Sequence, residues 1–471
     1  MVETKLVHIL KTFSRSEMGR WRDFVKSPYY NKNKYVLALA QFLEKRYPKF
    51  NPAKTTKEKA FDFIFPRKKY DDLRLRHLLS VLLKVTEEFL AAQHLRHHDV
   101  SKGVKLMGAF KKRNLAKHFE AAHRQTTKRQ NNHRQVDIFY HYHQYRIEME
   151  REQFLDMKEG RRKVTGLQKV SDHLDAFYLI NKLKQCCAAI SQQNVFGQQF
   201  QLKMLDEVLS HLKNNSYDIP LLHLYQCGLL TLMEPENETH FFALKENLSK
   251  HLASIPREEA AELHVLARNY CIKRLNTGGD KYVKELFDLY KLGLNSVVLD
   301  DKGMITPASF KNIIAVGLKL KEYNWTEKFI REYSQKLEEQ YQGDYLDYNL
   351  AKLYFEKKDY GRVIEMIREV DFIDIFIAVD ARTLLIKTYF EIDEYEILDS
   401  QLDSFRQFVQ RKKEVAYHRK NYLNTIRFTR QLMGLKSGDH KQAERIRKKI
   451  EQEKMITEKS WMLEKLNELS A

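Results

Sequence analysis

Glycine and proline are scarce in this 471-residue chain: 16 Gly and 8 Pro together reach about half of average usage. So few turn formers exclude a strand-and-turn architecture and favour long helices. No sustained apolar/polar alternation bounded by Asn-Gly or Asp-Gly occurs, and Phe372 to Val379 is the one apolar run with strand character. Cysteine is equally sparse. Cys186 and Cys187 are adjacent, Cys227 and Cys271 stand alone, and no CxxC pair is present, which excludes a disulfide framework and a zinc ribbon. No run of about 18 apolar residues could cross a membrane, and the opening MVETKLVHILKTFSRSE lacks the apolar stretch of a signal peptide, so a cytoplasmic protein without a membrane partner is expected. GxxxxGK[ST], GxGxxG, GxSxG and HExxH are all missing. Without a nucleophile, base and orienting group in a recognisable pattern, no reaction class is implied, and neither an enzyme nor a cofactor site is expected.

Charge is abundant and unevenly placed. Residues 1–170 hold 38 Lys+Arg against 18 Asp+Glu, whereas the other 301 residues hold 44 against 45. Within that remainder 411–450 is strongly basic, with 13 against 3, and 171–410 is acidic, with 28 against 37. Basic ends and an acidic centre suit docking of an acidic partner or self-association, because complementary potentials steer encounter.

Apolar spacing is helical throughout. Leu6, Ile9, Leu10 and Phe13 fall at i, i+3, i+4 and i+7. Ser14 and Glu17 form a capping-box pattern, and Pro28 predicts that the second helix stops near Lys26. KSPYYNKNKYVLALAQFLE, Lys26 to Glu44, therefore reads as helix stop, turn and helix start, with Asn31 or Asn33 as the cap; exposure of Tyr29 and Tyr30 beside Lys26, Lys32 and Lys34 would make the turn a binding surface. Leu75, Leu78, Leu82, Val85, Phe89 and Ala92 are spaced 3, 4, 3, 4, 3, the seam of a central helix in an N-terminal bundle over 1–100.

Beyond residue 101 the texture changes to helical hairpins. Val316-Gly317 with Leu320, Leu350-Ala351 with Tyr354, and Leu385-Ile386 with Tyr389 recur 34 and then 35 residues apart. Phe329 and Tyr333, Val363 and Ile367, and Leu398 and Leu402 follow as second helices, after the polar turns KEYNW and KKDYG. A looser echo runs through Ala267 with Tyr270, Gly228 with Thr231, and Leu183. TGGD, Thr277 to Asp280, reads there as an insertion and lacks the Lys-Ser/Thr of a phosphate loop.

These residues resemble the tetratricopeptide repeat, a helix-turn-helix unit with a small residue in its first helix and an aromatic three later. The resemblance is clear over 305–410 and extends over 170–430. Phe329, Val363 and Leu398 replace the alanines of the second helix, and the closing proline is missing. The first hundred residues are similar to uncharacterised bacterial helical-repeat proteins, a likeness that brings no function. The expected fold is all-α: an N-terminal helical bundle over 1–100, then an α-solenoid of tetratricopeptide-like hairpins over 101–471. The repeat resemblance implies a non-catalytic scaffold holding a protein or peptide segment, with Asn312, Asp347, Asn349 and Arg382 as groove candidates.

Two further clusters carry chemistry. Lys111, Lys112, Arg113, Lys128, Arg129, Arg161, Arg162 and Lys163 recur along 101–170 with Phe110, Phe119, Tyr140, Tyr142 and Tyr145 between them. Cations for phosphates and rings for bases are the needs of sequence-tolerant nucleic-acid binding, the alternative function; a solvated helix face with packed tyrosines has the same pattern. His94 and His98 share a helix face at i, i+4, whereas His141 and His143 point apart, and no carboxylate or cysteine completes a metal set.

Overall fold

The computed structural model describes every residue except 98, 133–135, 161–165, 295, 298, 301, 369–371, 436–438 and 471. No β-strand occurs among the described residues, and 23 α-helices make the protein all-α. The chain divides into two compact units, Met1–Leu179 and Ile180–Ala471.

The first unit holds α1 (Lys5–Lys11), α2 (Arg15–Lys26), α3 (Lys34–Glu44), α4 (Lys57–Ile64), α5 (Asp72–His97), α6 (Asp99–Lys112), α7 (Ala116–Asn131) and α8 (Ile138–Glu159); α9 (Leu167–Phe196) begins in it and continues into the second. Local chemistry sets the early boundaries. The Glu17 amide donates to Ser14 Oγ at 3.1 Å and the Ser14 amide to the Glu17 carboxylate at 2.7 Å, closing the capping box that starts α2. Asn33 Oδ1 accepts from the Tyr35 amide at 2.9 Å and starts α3. α5 is the centre of this bundle: α1, α2, α3 and α4 all pack on it. Its buried Leu75, Leu78, Leu82, Val85 and Phe89 join one core that begins at Leu6, while Val100, Val104, Met107, Phe119, Ala122, Ile147 and Phe154 form a second core between α6, α7 and α8. Trp21, fully buried, donates its indole N–H to Thr86 Oγ1 at 3.0 Å, so its one polar atom is satisfied inside the apolar core.

The second unit continues with α10 (Leu205–Asn214), α11 (Pro220–Met233), α12 (Glu238–His251), α13 (Arg257–Asn276), α14 (Tyr282–Gly293), α15 (Pro307–Lys319) and α16 (Tyr323–Tyr333). It is completed by α17 (Glu339–Glu356), α18 (Tyr360–Ile367), α19 (Ile375–Glu391), α20 (Tyr395–Arg411), α21 (Arg419–Met433), α22 (His440–Gln452) and α23 (Lys459–Ser470). Neighbours in sequence pair as hairpins: α11 with α12, α13 with α14, α15 with α16, α17 with α18, α19 with α20, and α22 with α23. First helices also pack on one another, α11 on α13, α15 on α17 and α17 on α19. The strand-like run Phe372 to Val379 is instead a helix start. Asp374 Oδ1 accepts from the amides of Phe376 at 2.8 Å and Ile377 at 3.3 Å, and this cap lets α19 begin at Ile375.

One turn recurs between paired helices. The amide of Glu322 donates to the Gly317 carbonyl at 3.0 Å, Asp359 to Tyr354 at 2.9 Å, Glu394 to Tyr389 at 3.1 Å, Gly279 to Arg274 at 3.0 Å and, in the first unit, Leu115 to Phe110 at 3.0 Å. In each the preceding residue is left-handed: Lys321 (φ 59°), Lys358 (φ 59°), Asp393 (φ 58°), Gly278 (φ 91°) and Asn114 (φ 53°). This six-residue closure satisfies helix-end carbonyls while reversing the chain. It also resets the repeat register. Gly317, Tyr354 and Tyr389 are equivalent, 37 and 35 residues apart, so the 34-residue spacing read from apolar anchors is one helical turn out at its first unit. TGGD is no insertion; it is this same turn.

Close approach explains three glycines. A Cβ at Gly317 would lie 2.3 Å from Thr326 Oγ1, one at Gly103 2.1 Å from Thr126 Oγ1, and one at Gly293 2.5 Å from His264 Nε2. Two stability measurements check these points. Gly317→Ala is expected to cost about 1–3 kcal/mol by overpacking α15 against α16, and the added Thr326→Ala to recover most of it, read as non-additive denaturation midpoints. Lys358→Gly relieves a left-handed lysine and is expected to raise stability by about 0.5–1 kcal/mol in the same assay.

Candidate functional site

Helical periodicity places Tyr348, Lys352 and Phe355 on one face of α17 and Asp380, Thr383, Leu384 and Lys387 on one face of α19. With Glu356 and Glu458 they line a partly enclosed cavity of about 80 Å³ inside the second unit. Pockets for drug-sized ligands run to about 300–1,000 Å³, so this volume suits the end of a side chain. Glu458 comes from the segment between α22 and α23 and is left-handed, with φ 57°. That segment is tied to α21: Asn424 Nδ2 donates to the Met455 carbonyl at 2.8 Å, and the Thr425 and Thr457 hydroxyls meet at 2.7 Å. Glu458 consequently reaches Lys387 Nζ at 2.7 Å, and the Lys387 ammonium lies 4.8 Å from the Phe355 ring centroid and 5.7 Å from that of Trp461. α23 is held beside it, because Trp461 Nε1 donates to Glu391 at 2.8 Å and Lys465 Nζ pairs with Glu391 at 2.7 Å.

Two charges in this cavity are not closed on each other. Among the described residues neither Lys352 nor Asp380 has an ion-pair partner. Burial lowers the Lys352 pKa, opposed by the Asp380 and Glu458 carboxylates. Burial pushes the Asp380 carboxyl up to about 6, opposed by the Lys311 and Lys352 ammoniums. Tyr348 is pushed up by burial as well. An amine, a carboxyl and a phenol thus share one partly desolvated space with hydrogen-bonding capacity to spare, the condition that marks binding sites.

A second ionic cluster in the same unit is closed. Lys184 Nζ lies 2.9 Å from Glu259 and 3.2 Å from Glu262, and the Tyr225 hydroxyl donates to Glu259 and, at 3.1 Å, to Glu262. Every charge there has a partner, and the network ties α9, α11 and α13 together. His264 is fully buried with Nε2 2.7 Å from the Leu289 carbonyl; as the carbonyl only accepts, that nitrogen carries the proton. Burial and then the Arg268 charge push the imidazole down to about 4.

The candidates chosen from sequence lie on α15, α17 and α19 in different surroundings. Asn312, on α15, is exposed and bonds the Tyr290 side chain. Asp347 is half-buried on α17, and burial, then Asp344, raises its carboxyl pKa. Asn349 is buried and donates to the Tyr345 carbonyl at 2.7 Å, so it faces the core. Arg382 stacks 4.4 Å from the Phe408 centroid. Sequence reasoning bracketed the cavity-lining Tyr348 without choosing it; the i, i+4 pair Tyr348 and Lys352 was the available signal.

The basic segment in the first unit is partly neutralised. Lys111 Nζ pairs with Glu150 at 2.6 Å and donates to Gln153 at 2.5 Å, and Arg129 lies 3.9 Å from Asp99. Arg113 donates to the Ala109 carbonyl at 3.0 Å. Lys112, Arg113 and Lys128 are exposed, whereas Arg161, Arg162 and Lys163 lie outside the described residues. Phe119 is buried and stacked on Phe154 at 4.0 Å, and Tyr142 packs 5.3 Å from Phe177, so these rings are packing groups. His98 also lies outside the described residues. His141, not paired with His143, meets His173 across two helices with Nδ1 atoms 3.4 Å apart; burial pushes it down to about 4. No group of three metal-ligating side chains occurs among the described residues, and no described helix is long and apolar enough to cross a membrane. Cys186, Cys187 and Cys271 are buried, and all four cysteines are free thiols.

No family model, curated protein or solved structure matches the chain.

The raised Asp380 pKa carries a signed prediction. A carboxyl at about 6 when folded and about 3.9 when unfolded contributes stability that is full below pH about 3.9 and is lost as pH rises through about 6. Asp380→Asn removes that dependence. Denaturation of both chains at pH 4.5 and 7.5 should show the variant gaining on the parent, on the order of 2 kcal/mol, at the higher pH.

Proposed function

We propose that the second unit is a non-catalytic, tetratricopeptide-like scaffold that holds a segment of a partner protein in the cytoplasm along its packed first helices. The observation that carries this reading is the open Lys352/Asp380 arrangement. α15, α17 and α19 follow one another, and the side chains of two of them surround a cavity sized for one polar side-chain end. Lys311 and Asn312 on α15 stand exposed nearby in the same series of first helices, and Lys311 acts on Asp380 through its charge. The recurrent turn supports a repeated hairpin, and the Gly317 approach to Thr326 supports a small residue at the crossing of α15 and α16. A scaffold reading is favoured over a catalytic one because the cavity, about 80 Å³, admits one side-chain end, whereas pockets that enclose whole ligands run to about 300–1,000 Å³.

Affinity purification of the full chain from its host, with and without nuclease, tests this. Protein capture should survive nuclease and fall several-fold in Lys311→Glu/Lys352→Met, compared at equal folded fraction by melting because the variant takes both cations away from Asp380. Capture that vanishes with nuclease would favour the nucleic-acid reading of Lys112, Arg113 and Lys128, and equal capture by the variant would refute the cavity's role.

A further inference from the structure

The loop between α2 and α3 is unusually well fixed for one that exposes so much aromatic surface. The Ser27 carbonyl accepts from the amides of Tyr30 at 3.1 Å and Asn31 at 3.0 Å, Asn31 Nδ2 donates to the Val25 carbonyl at 3.1 Å, and Asn31 Oδ1 accepts from the Asn33 amide at 2.9 Å. An aromatic column runs from this loop to the core: Tyr29 meets Tyr30 edge-on at 4.9 Å, Tyr30 stacks on Phe24 at 3.7 Å, and Phe24 meets buried Phe89 at 5.5 Å. Tyr29 is 85% exposed at its outer end. A rigid tyrosine already ordered before binding loses little entropy on contact, which is why such residues serve as anchors.

Beside the column an open cleft of about 700 Å³ lies between the loop and α5. Lys32, Lys34, Tyr30 and Tyr35 line it, Val81 and Val85 supply its apolar part, and no carboxylate is among its lining residues. Lys26, Lys32 and Lys34 are exposed, and among the described residues none of them has a carboxylate partner. Arg74 adds a cation 5.6 Å from the Tyr35 ring centroid. Tyr30 is stacked on Phe24, and Tyr35 packs against Phe65 at 4.7 Å and is met by Lys34 and Arg74, so Tyr29 alone presents an open ring, too few for successive bases to stack. What the cleft offers instead is ammonium groups and hydroxyls around an apolar patch.

We infer that this cleft of the first unit binds an acidic peptide segment, its carboxylates on Lys32 and Lys34, an apolar side chain against Val81 and Val85, and the neighbouring Tyr29 packed over it. The inference rests on the first unit alone and stands apart from the reading of the hairpin array. Fluorescence anisotropy with the full chain and a dye-labelled Glu/Leu peptide tests it, against a Lys/Leu peptide and oligo-dT of equal length. The Glu/Leu peptide should bind in a salt-sensitive manner and the Lys/Leu peptide should not. Lys32→Glu/Lys34→Glu and, separately, Tyr29→Ala should each weaken binding about tenfold with unchanged thermal melting, because all three side chains are exposed. The Lys311→Glu/Lys352→Met chain should keep full affinity for the peptide. Undiminished binding by the loop variants, or oligo-dT binding more tightly than the Glu/Leu peptide, would overturn the inference.

Discussion

A helix that ends inside a packed protein leaves carbonyls to satisfy, and a hairpin must satisfy them while turning the chain within a few residues. The six-residue closure solves both demands at once, and the arrangement of the second unit depends on it. The same backbone bond recurs after α13, α15, α17 and α19, and each following helix packs back on its partner. First helices are thereby left free to pack on the next first helix, which brings α17 and α19 together and makes a shared cavity between them. The same closure after α6 shows that the device is not confined to the second unit.

Much of this was legible from residue spacing. The capping box at Ser14 and Glu17, the stop at Lys26, and the long seam of α5 are local features, and local features are written within a few residues of where they act. The turn was harder to read because four of its five left-handed positions are Lys, Lys, Asp and Asn, and glycine marks only TGGD. Apolar anchors alone then allowed a slip of one helical turn, since positions three and four apart share a face. The strand-like run Phe372 to Val379 misled for a related reason: its apolar residues follow one another with one interruption and show no helical period, Ile373 and Phe376 being exposed and Ile377 to Val379 buried, and only the Asp374 cap distinguishes a helix start.

The candidate site was legible only in part, and charge explains why. In sequence Lys352 and Asp380 look like ordinary solvated residues of a polar helix face. Their burial arises from two first helices and from Glu458, which meets Lys387 across 71 positions. Asn349, one residue from Tyr348, turns by about 100° around the helix and ends in the core. The basic stretch of the first unit shows the converse. Lys111 and Arg129 looked available in sequence and are met by Glu150 and Asp99 from other helices. Whether a charge is closed or open is a property of the tertiary neighbourhood, so composition locates charged regions and cannot sort them.

The tight glycine contacts bear on how this chain changes over time. Gly103 is opposed by the Thr126 hydroxyl, which is itself committed to the Ala122 carbonyl at 2.7 Å, and Gly293 is opposed by an imidazole held by Leu289. The glycine in such a pair cannot drift alone: a methyl arriving there needs room surrendered by the side chain opposite. Divergent descendants of this chain should therefore exchange these residues two at a time, and their kinship would be kept in correlated pairs of small and hydroxyl-bearing positions long after the surrounding apolar letters have been reshuffled.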